Sequence, residues 1–263
     1  MNILEKIVAQ KKKEVAQRKQ AMPAAALEKH GLFKKLPYSL KQCLKDESKT
    51  GIIAEFKRAS PSKGIINNQA SVEAVTAAYA NYGASGISVL TDESFFGGSL
   101  NDLQTASILE VPVLRKDFMI DAYQVTEAKA YGASVILLIA ACLSPAEVKA
   151  LAAAAKDLGL EVLLELHDES ELDHVCDGVD IVGINNRNLK TFSVDLEQSV
   201  KLAEKIGASY LKIAESGISS PGSIRYLKQH GFDGFLIGEH FMKESEPGAA
   251  FRNFVNELNG VPL

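Results

Sequence analysis

The segments NYGASGISVL (residues 81–90) and AYGASVILLI (residues 130–139) decide the fold, because in each a helical pattern stops at a glycine and an apolar, strand-like run follows. Such runs are nearly continuously apolar, which is typical of parallel strands covered on both faces. The repeated unit predicts an α/β protein built as a single (β/α)8 (TIM) barrel, not an open sheet. Six further runs complete the eight strand candidates: GIIAEF (51–56), VPVLRKD (111–117), EVLLEL (161–166), IVGINN (181–186), YLKIAES (210–216) and GFLIG (234–238).

Helical spacing characterises the segments between the strand candidates. Each of these segments ends at a glycine, which closes a helix at low cost because it adopts the left-handed conformation easily. We therefore predict that each helix ends at its glycine and that a strand follows within a few residues. The four clearest are SVEAVTAAYANYG (71–83), DAYQVTEAKAYG (121–132), SPAEVKALAAAAKDLG (144–159) and SPGSIRYLKQHG (220–231).

Bulk properties limit the classes of function. A chain of 263 residues suits one barrel domain, over residues 1–263, and the formal net charge of −4 offers no electrostatic footprint for nucleic acid. No apolar run reaches the roughly 18 residues of a membrane span, so we expect no membrane partner. The three cysteines are odd in number and form no CxxC motif, so we expect a reducing, cytoplasmic location.

Residues 1–50 precede the first strand and show no second core-sized pattern, so they predict a helical extension instead of a domain. Within them, LEKIVAQKKKEVAQRKQ (4–20) mixes lysines with glutamates, and Ile7 and Val8 lie on one side together with the preceding Ile3. That pattern indicates an amphipathic helix laid on a protein surface. We expect the extension to cross one mouth of the barrel, where it would border the active site; the sequence leaves open which mouth.

Several strand candidates end in polar residues, and barrel enzymes carry their catalytic groups at the carboxyl ends of strands. Converging charges at that end are costly unless they are paired or used. These residues are therefore candidates for the site. They are Glu55, Lys57 and Ser60 after the first strand, Lys116 after the third, Glu165 after the fifth, Asn185 and Arg187 after the sixth, and Glu215 and Ser216 after the seventh.

Structural interpretations compete with functional ones. Glu55 and Lys57 share a strand face and could form an internal salt bridge, and Lys116 and Glu165 could form a purely structural ion pair. Asp117 and Asp168 are interpreted as helix caps, and His167 as a packed loop residue. His30, His174, His230 and His240 have no metal-ligand spacing, so we predict no metal.

The turns SGISSPGS (216–223) and LIGEHFMK (236–243) predict an anion site. They follow strands seven and eight, where barrels commonly bind phosphate at the start of a short extra helix. Tight turns without a ligand are the alternative. The backbone N–H groups expected to face the phosphate belong to Ser216, Gly217, Gly238 and Glu239.

Six stretches, in this order, closely resemble indole-3-glycerol-phosphate synthase: EFKRASPSKG (55–64), SVLTDESFFGGSL (88–100), VPVLRKDFMID (111–121), LLELHDESEL (163–172), VGINNRNLKTFSVDL (182–196) and AESGI (214–218). The resemblance covers nearly the whole chain, including the N-terminal helix. It implies the conversion of 1-(2-carboxyphenylamino)-1-deoxyribulose 5-phosphate into indole-3-glycerol phosphate, with release of carbon dioxide and water, in tryptophan biosynthesis. No cofactor is implied.

The same resemblance implies roles for individual residues. Lys116 becomes the general acid, Glu165 its partner in proton transfer, and Asn185 a group that orients the substrate. Glu55 and Lys57 position and polarise the substrate, and Lys57 also reaches towards the phosphate. The remaining residues bind: Arg187 and Ser60 suit the substrate carboxylate, Phe96 and Phe118 suit walls around the aryl ring, and Glu239, where some relatives carry serine, is expected to turn its carboxylate outward.

Two alternatives remain at this point. One is another phosphate-binding barrel of the pathway, such as phosphoribosylanthranilate isomerase or the tryptophan synthase α chain, although these lack the combination of EFKRASPSKG and LRKDF. The other is a catalytically inactive barrel that serves as a binding module. The expected partner is a small phosphorylated substrate, and the chain is expected to be a monomer or weak oligomer; a separate tryptophan-pathway enzyme as partner is left open.

Overall fold

The structure is a computed structural model that describes residues 2–187 and 193–260. Within these residues, eight parallel strands close a barrel in which neighbours in the chain are neighbours in space and the last strand pairs with the first. The predicted (β/α)8 barrel is confirmed. The strands are β1 (Ile52–Phe56), β2 (Gly86–Leu90), β3 (Val113–Lys116), β4 (Val135–Ile139), β5 (Glu161–Leu166), β6 (Ile181–Asn185), β7 (Leu211–Glu215) and β8 (Gly234–Ile237).

Burial on both faces explains why the strands are apolar throughout. Along β4, Val135, Leu137 and Ile139 belong to the cluster that fills the barrel, while Ile136 and Leu138 pack in the layer between strands and helices. All of them are buried. Because side chains alternate between faces along a strand, one continuous apolar run supplies both layers.

The helices surround the barrel, and those after the strands stop where the glycines predict. Gly83, Gly132, Gly159 and Gly231 follow the ends of four helices with φ between 71° and 88°. None of the described helices is long and apolar enough to cross a membrane. The described helices are α1 (Ile3–Ala21), α2 (Ala24–Leu27), α3 (Leu40–Lys45), α4 (Val72–Asn81), α5 (Glu93–Phe96), α6 (Leu100–Ala106), α7 (Ala122–Ala130), α8 (Pro145–Asp157), α9 (Leu196–Ala203), α10 (Pro221–Gln229), α11 (Glu239–Met242) and α12 (Pro247–Leu258), with 3-10 turns at Ala140–Cys142 and Glu169–His174.

The N-terminal extension contacts both ends of the barrel, not one mouth as expected. At the amino end, Leu40 and Leu44 of α3 approach the first residues of two strands so closely that a Cβ at Gly86 or Gly234 would lie 2.7 Å from a leucine methyl carbon. At the carboxyl end, the first turns of α1 line the cavity described below. The amphipathic helix predicted from the sequence is confirmed, with Ile7 on its buried face.

A buried cluster of ion pairs anchors α1 to the barrel. Lys11 is fully buried, and its Nζ lies 2.7 Å from Asp92 and 2.9 Å from Asp117. Asp117 also lies 3.0 Å from the fully buried Arg115, which in turn lies 2.7 Å from Glu127 of α7. Although burial acts to raise it, the pKa of Asp117 is held well below its ordinary value by Arg115 and Lys11. Each charge therefore has a close counter-charge, as burial requires.

One of the two predicted helix caps is wrong. Asp168 accepts from the N–H of Ser170 and caps the 3-10 turn that follows it, as predicted. Asp117 caps no described helix; Asp121 instead caps α7 by accepting from the Tyr123 N–H. Capping depends on neighbours in the chain, whereas the side-chain partners of Asp117 are Lys11 of α1, Arg115 of β3 and Thr91 after β2.

Removing the cation at the centre of this cluster should destabilise the fold. We expect Lys11→Met to lower the free energy of unfolding by about 3–5 kcal/mol, since it leaves buried carboxylates short of a counter-charge. Urea denaturation at neutral pH measures this. Lys12→Met, at the exposed neighbouring position, is the matched control and should change little.

Acid should reduce the difference in the free energy of unfolding between Lys11→Met and the wild type. Folding lowers the pKa of Asp117, so its contribution is present at neutral pH and is lost as the pH falls below about 4. The two stabilities should therefore converge in acid. Equal losses for Lys11→Met and Lys12→Met would contradict this account of the cluster.

Candidate active site

A cavity of about 620 Å³ opens at the carboxyl ends of the barrel strands, a volume ordinary for a small-molecule site. Its wall brings together every residue that the sequence singled out for the site. These are Glu55, Lys57, Ser60, Phe96, Lys116, Phe118, Glu165, Asn185, Arg187, Glu215, Ser216, Gly217, Gly238 and Glu239. Among the described residues, no group of three His, Cys, Asp or Glu side chains is arranged to hold a metal ion.

Four charged residues form one layer at the floor of the cavity, each from an odd-numbered strand. They are Glu55 on β1, Lys116 on β3, Glu165 on β5 and Glu215 on β7. Alternate strands contribute the side chains of one layer in such barrels. The Nζ of Lys116 lies 2.5 Å from Glu215 and 3.2 Å from Glu165, while Lys57 pairs with Glu55 at 2.8 Å. Both ion pairs considered from the sequence are thus present.

Lys116 keeps its positive charge in this layer. Burial alone would lower the pKa of its ammonium group, but the carboxylates of Glu215, Glu165 and Glu55 overcome that effect and raise the pKa above its ordinary value. A charged lysine with its proton held close to two carboxylates is a proton donor that burial has not neutralised.

Glu165 keeps its negative charge because donors surround it. Asn185 Nδ2 donates to Oε1 at 3.0 Å, and the ring Nε2 of His167 lies 3.1 Å from the same oxygen. Burial acts to raise the pKa of Glu165, but Lys116, His167 and Asn185 hold it well below its usual range. His167 is packed, as expected, but between two carboxylates: although burial opposes it, Glu165 and Glu171 raise its pKa to about 10.

Glu215 is the residue whose importance the sequence analysis missed. It was noted at a strand end but given no role. Burial, with the negative charges of Glu165 and Glu55, raises the pKa of Glu215 to about 7, against the opposing effect of Lys116. Because Glu165 has additional donors, protonation near neutral pH is favoured on Glu215 over Glu165. The rule that alternate strands contribute the side chains of one layer could have identified Glu215, since β1, β3 and β5 each already supplied one charged residue.

A glycine in the neighbouring strand makes room for that carboxylate. A Cβ at Gly183 of β6 would collide with the Oε1 of Glu215, so any larger residue there would displace the carboxylate of the buried acid. The pairing of β6 with β7 fixes this contact, with Gly183 in register with Ile213. The sequence shows this glycine inside an otherwise apolar strand, a position that often marks close approach.

The turn after β7 has an unusual backbone. Ser216 has φ of 69° and Gly217 has φ of 72°, so two consecutive residues are left-handed. Serine rarely adopts this region, and such strain concentrates at functional sites. Asn186 Nδ2 donates to the Ser216 carbonyl at 2.8 Å and supports the turn.

Both glycines predicted to admit phosphate also meet protein side chains. A Cβ at Gly217 would collide with Val194, and one at Gly238 would lie 2.6 Å from an oxygen of Glu55. Larger residues at either position would therefore disturb the loop or the catalytic layer as well as any ligand. The phosphate role of these turns stays a prediction.

Glu239 does not turn outward as expected. Its carboxylate oxygens lie 3.5 Å from Arg187 Nη2 and 3.4 Å from Lys63 Nζ. Partial burial acts to raise its pKa, but Lys63 and Arg187 keep the pKa of Glu239 below its ordinary value. The expectation failed because it considered repulsion by a ligand and not attraction by these two cations.

One wall of the cavity is apolar. The rings of Phe96 and Phe118 lie 6.1 Å apart, and Ile3, Leu4 and Ile7 of α1 continue the same wall. The cavity therefore has an apolar side, a charged floor and a cationic rim.

Ser60 and Arg187 complete the rim, and each makes a hydrogen bond with a residue near it in the chain. Ser60 lies in the short hairpin that pairs Ala59–Ser60 with Gly64–Ile65, and its hydroxyl accepts from the Lys63 N–H at 3.2 Å. The Arg187 N–H donates to Asn185 Oδ1 at 3.0 Å. Asn185 is thereby oriented with its amide nitrogen towards Glu165.

Two solved structures with the same architecture have little sequence in common with this chain. The 3-hexulose-6-phosphate synthase of Salmonella typhimurium matches with a TM-score of 0.63 at 12% identity, over 80% of this chain and 98% of its own. The tryptophan synthase α subunit of Legionella pneumophila matches with a TM-score of 0.61 at 14% identity, over 84% and 95%. At such identities the likeness establishes the barrel alone.

Sequence relatives are far more similar. The indole-3-glycerol phosphate synthase of Bacteroides thetaiotaomicron is 46% identical over 98% of this chain and 99% of its own, and that of Polaromonas sp. is 44% identical over 95% and 96%. The family model described as indole-3-glycerol phosphate synthase matches residues 4–254. With matches that span nearly the whole chain, this protein belongs to the indole-3-glycerol phosphate synthase family.

Proposed function

We propose that this chain converts 1-(2-carboxyphenylamino)-1-deoxyribulose 5-phosphate into indole-3-glycerol phosphate, carbon dioxide and water, with the layer around Lys116 as its proton-transfer machinery. The observation that carries the proposal is the charged Lys116 between Glu215 and Glu165, at 2.5 and 3.2 Å. It lies at the floor of a cavity with one apolar wall and one cationic rim. The family to which the chain belongs carries this activity in tryptophan biosynthesis.

The reaction needs a proton donor twice and a proton acceptor once. In ring closure, the aryl carbon that bears the carboxylate bonds to the ketone carbon, the ketone oxygen takes a proton, and the departing carbon dioxide leaves its electron pair to the ring. In dehydration, the resulting hydroxyl takes a proton and leaves as water, while the neighbouring CH2 carbon gives one up.

Lys116 is the donor in this proposal. Its ammonium group stabilises the negative charge that develops on the ketone oxygen and supplies a proton to it. Solvent then returns a proton to the amine, which is the one proton that the reaction consumes, and Lys116 donates again to the departing hydroxyl. The contacts with Glu215 and Glu165 support this role, because they hold the lysine charged at a buried position.

Glu165 and Glu215 share the work of proton acceptor. Glu165 is held ionised by its donors and is a weak base, whereas a pKa of about 7 suits Glu215 to take up a proton at neutral pH. We therefore assign the proton from the CH2 carbon to this pair, with Glu215 as the group that retains it. Glu55 and Lys57 polarise and position the substrate beside the pair, and Asn185 orients it.

The anionic groups of the substrate fit the rim. Arg187 offers a guanidinium fork to the substrate carboxylate, with the Ser60 hydroxyl beside it. The phosphate fits the turns after β7 and β8, where Lys57 adds charge. The N–H groups proposed to bind it are those of Ser216, Gly217, Gly238 and Glu239.

The aryl ring fits the apolar wall of Phe96 and Phe118. Contact with these rings places the reacting carbon above the charged floor and excludes water from it.

The proposal extends to the setting of the enzyme. We assign it to a reducing cytoplasm, which is supported by Cys43, Cys142 and Cys176, all unpaired. We expect a monomer or weak oligomer that receives its phosphorylated substrate from a separate enzyme of the pathway.

Loss of the donor should abolish turnover while substrate binding survives. We expect Lys116→Met to lower kcat by roughly a thousandfold, within the range for general acid catalysis, with a much smaller change in KM. An absorbance assay of indole-3-glycerol phosphate formation measures both. Lys129→Met, which removes a buried lysine outside the cavity, is the control for folding; retention of turnover in Lys116→Met would contradict the assignment.

Glu215 should impose a pH dependence near neutrality. A base must be ionised to act, so kcat/KM, which reports the free enzyme, should rise with pH through an apparent pKa of about 7. Glu215→Gln keeps the shape of the side chain, and we expect it to lower kcat and to remove this limb. A limb that persists in Glu215→Gln would assign the base to another group.

A further inference from the structure

Three charged side chains from three different loops meet beside the cavity, whose lining includes Arg187 and Glu239. Lys63 belongs to the hairpin after β1, Arg187 follows β6, and Glu239 follows β8. The Glu239 carboxylate bridges the two cations, at 3.4 Å from Lys63 Nζ and 3.5 Å from Arg187 Nη2. We call these three side chains the rim bridge.

We propose that Glu239 is an internal anion that occupies Arg187 and Lys63 until the anionic groups of a ligand displace it. This inference rests on the proposed function in one respect, the assignment of Arg187 to the substrate carboxylate. It adds a competitor to that site: Glu239 lowers the affinity of the rim for anions and so discriminates among them.

The contacts of the rim bridge are long, so a ligand can replace them. Elsewhere in the protein, Arg58 donates from both terminal nitrogens to the two oxygens of Asp102, at 2.5 and 2.9 Å. Arg187 instead reaches Glu239 through one nitrogen at 3.5 Å, so its fork is only half used. A substrate carboxylate that fills the fork forms the stronger pair.

Exposure also favours exchange. The side chains of Lys63, Glu239 and Arg187 are 54%, 35% and 26% exposed. Ion pairs so open to water are weak, because solvent screens them and competes for their hydrogen bonds. In the cluster at the floor, by contrast, Lys116 and Glu215 are 15% and 2% exposed, and their contact is not available for exchange.

Competition by Glu239 would act unequally on different anions. A free phosphate or a simple aryl carboxylate has only one anionic group with which to displace Glu239 from its cations. The substrate carries a phosphate and a carboxylate on one molecule, so both can engage the site after a single binding event. The rim bridge therefore favours the substrate over the small anions that surround it in solution.

The test is Glu239→Gln, which keeps the shape of the side chain and removes its charge. We expect the dissociation constants of inorganic phosphate and of 2-aminobenzoate, measured by NMR titration of the labelled protein, to fall by roughly two- to fivefold, the range for weak ion pairs. The KM of the substrate should fall by a smaller factor. Glu246→Gln makes the same charge change at an exposed position of the same segment, and we expect no effect.

Two further variants identify the cations responsible. In an Arg187→Gln background, Glu239→Gln should no longer tighten the binding of 2-aminobenzoate, and in an Arg187→Gln, Lys63→Gln background the gain for phosphate should also disappear. Weaker binding in Glu239→Gln, no change, or a gain that persists without both cations would each overturn the proposal. The titrations need no turnover, so an inactive but phosphate-binding wild type would count against the proposed function and not against the rim bridge.

Discussion

A single ammonium group, that of Lys116, holds two carboxylates inside the barrel, and the rest of the site depends on that contact. Moving such charges out of water costs several kcal/mol each unless opposite charges lie close by. Glu165 and Glu215 therefore have to reach Lys116 from β5 and β7, and Gly183 has to leave space for one of them. The barrel meets this demand because alternate strands direct their side chains into one layer.

The strand that carries Lys116 also holds α1 in place at the mouth of the cavity. Side chains alternate along β3, so Lys116 points into the barrel while Arg115 points to the helices, where it pairs with Glu127. Asp117, the next residue, binds Lys11 of α1, and the first turns of α1 form the apolar wall. Proton donor and substrate-facing wall are thus positioned by three consecutive residues, which explains why an N-terminal helix outside the barrel contributes to the site.

Local sequence patterns predicted the fold. The predictions that failed or stayed incomplete concern residues whose partners lie far away in the chain. Apolar runs and glycine stops are short-range features, so the eight strands and the ends of four helices followed from them. The cap assigned to Asp117 and the outward carboxylate of Glu239 failed because their cations come from other elements. Glu215 was visible at a strand end, but its raised pKa depends on its burial and on the carboxylates of Glu165 and Glu55 from two other strands, which no local pattern encodes.

We infer that the carboxylates around Lys116 retain one proton near neutral pH and that Glu215 carries it. Infrared difference spectroscopy across a pH titration observes the C=O stretch of a protonated carboxylic acid directly. We predict a buried carboxylic acid band in the wild type that disappears with an apparent pKa of about 7 and is missing in Glu215→Gln. A wild type without such a band, or a band that persists unchanged in Glu215→Gln, would contradict this account of the site.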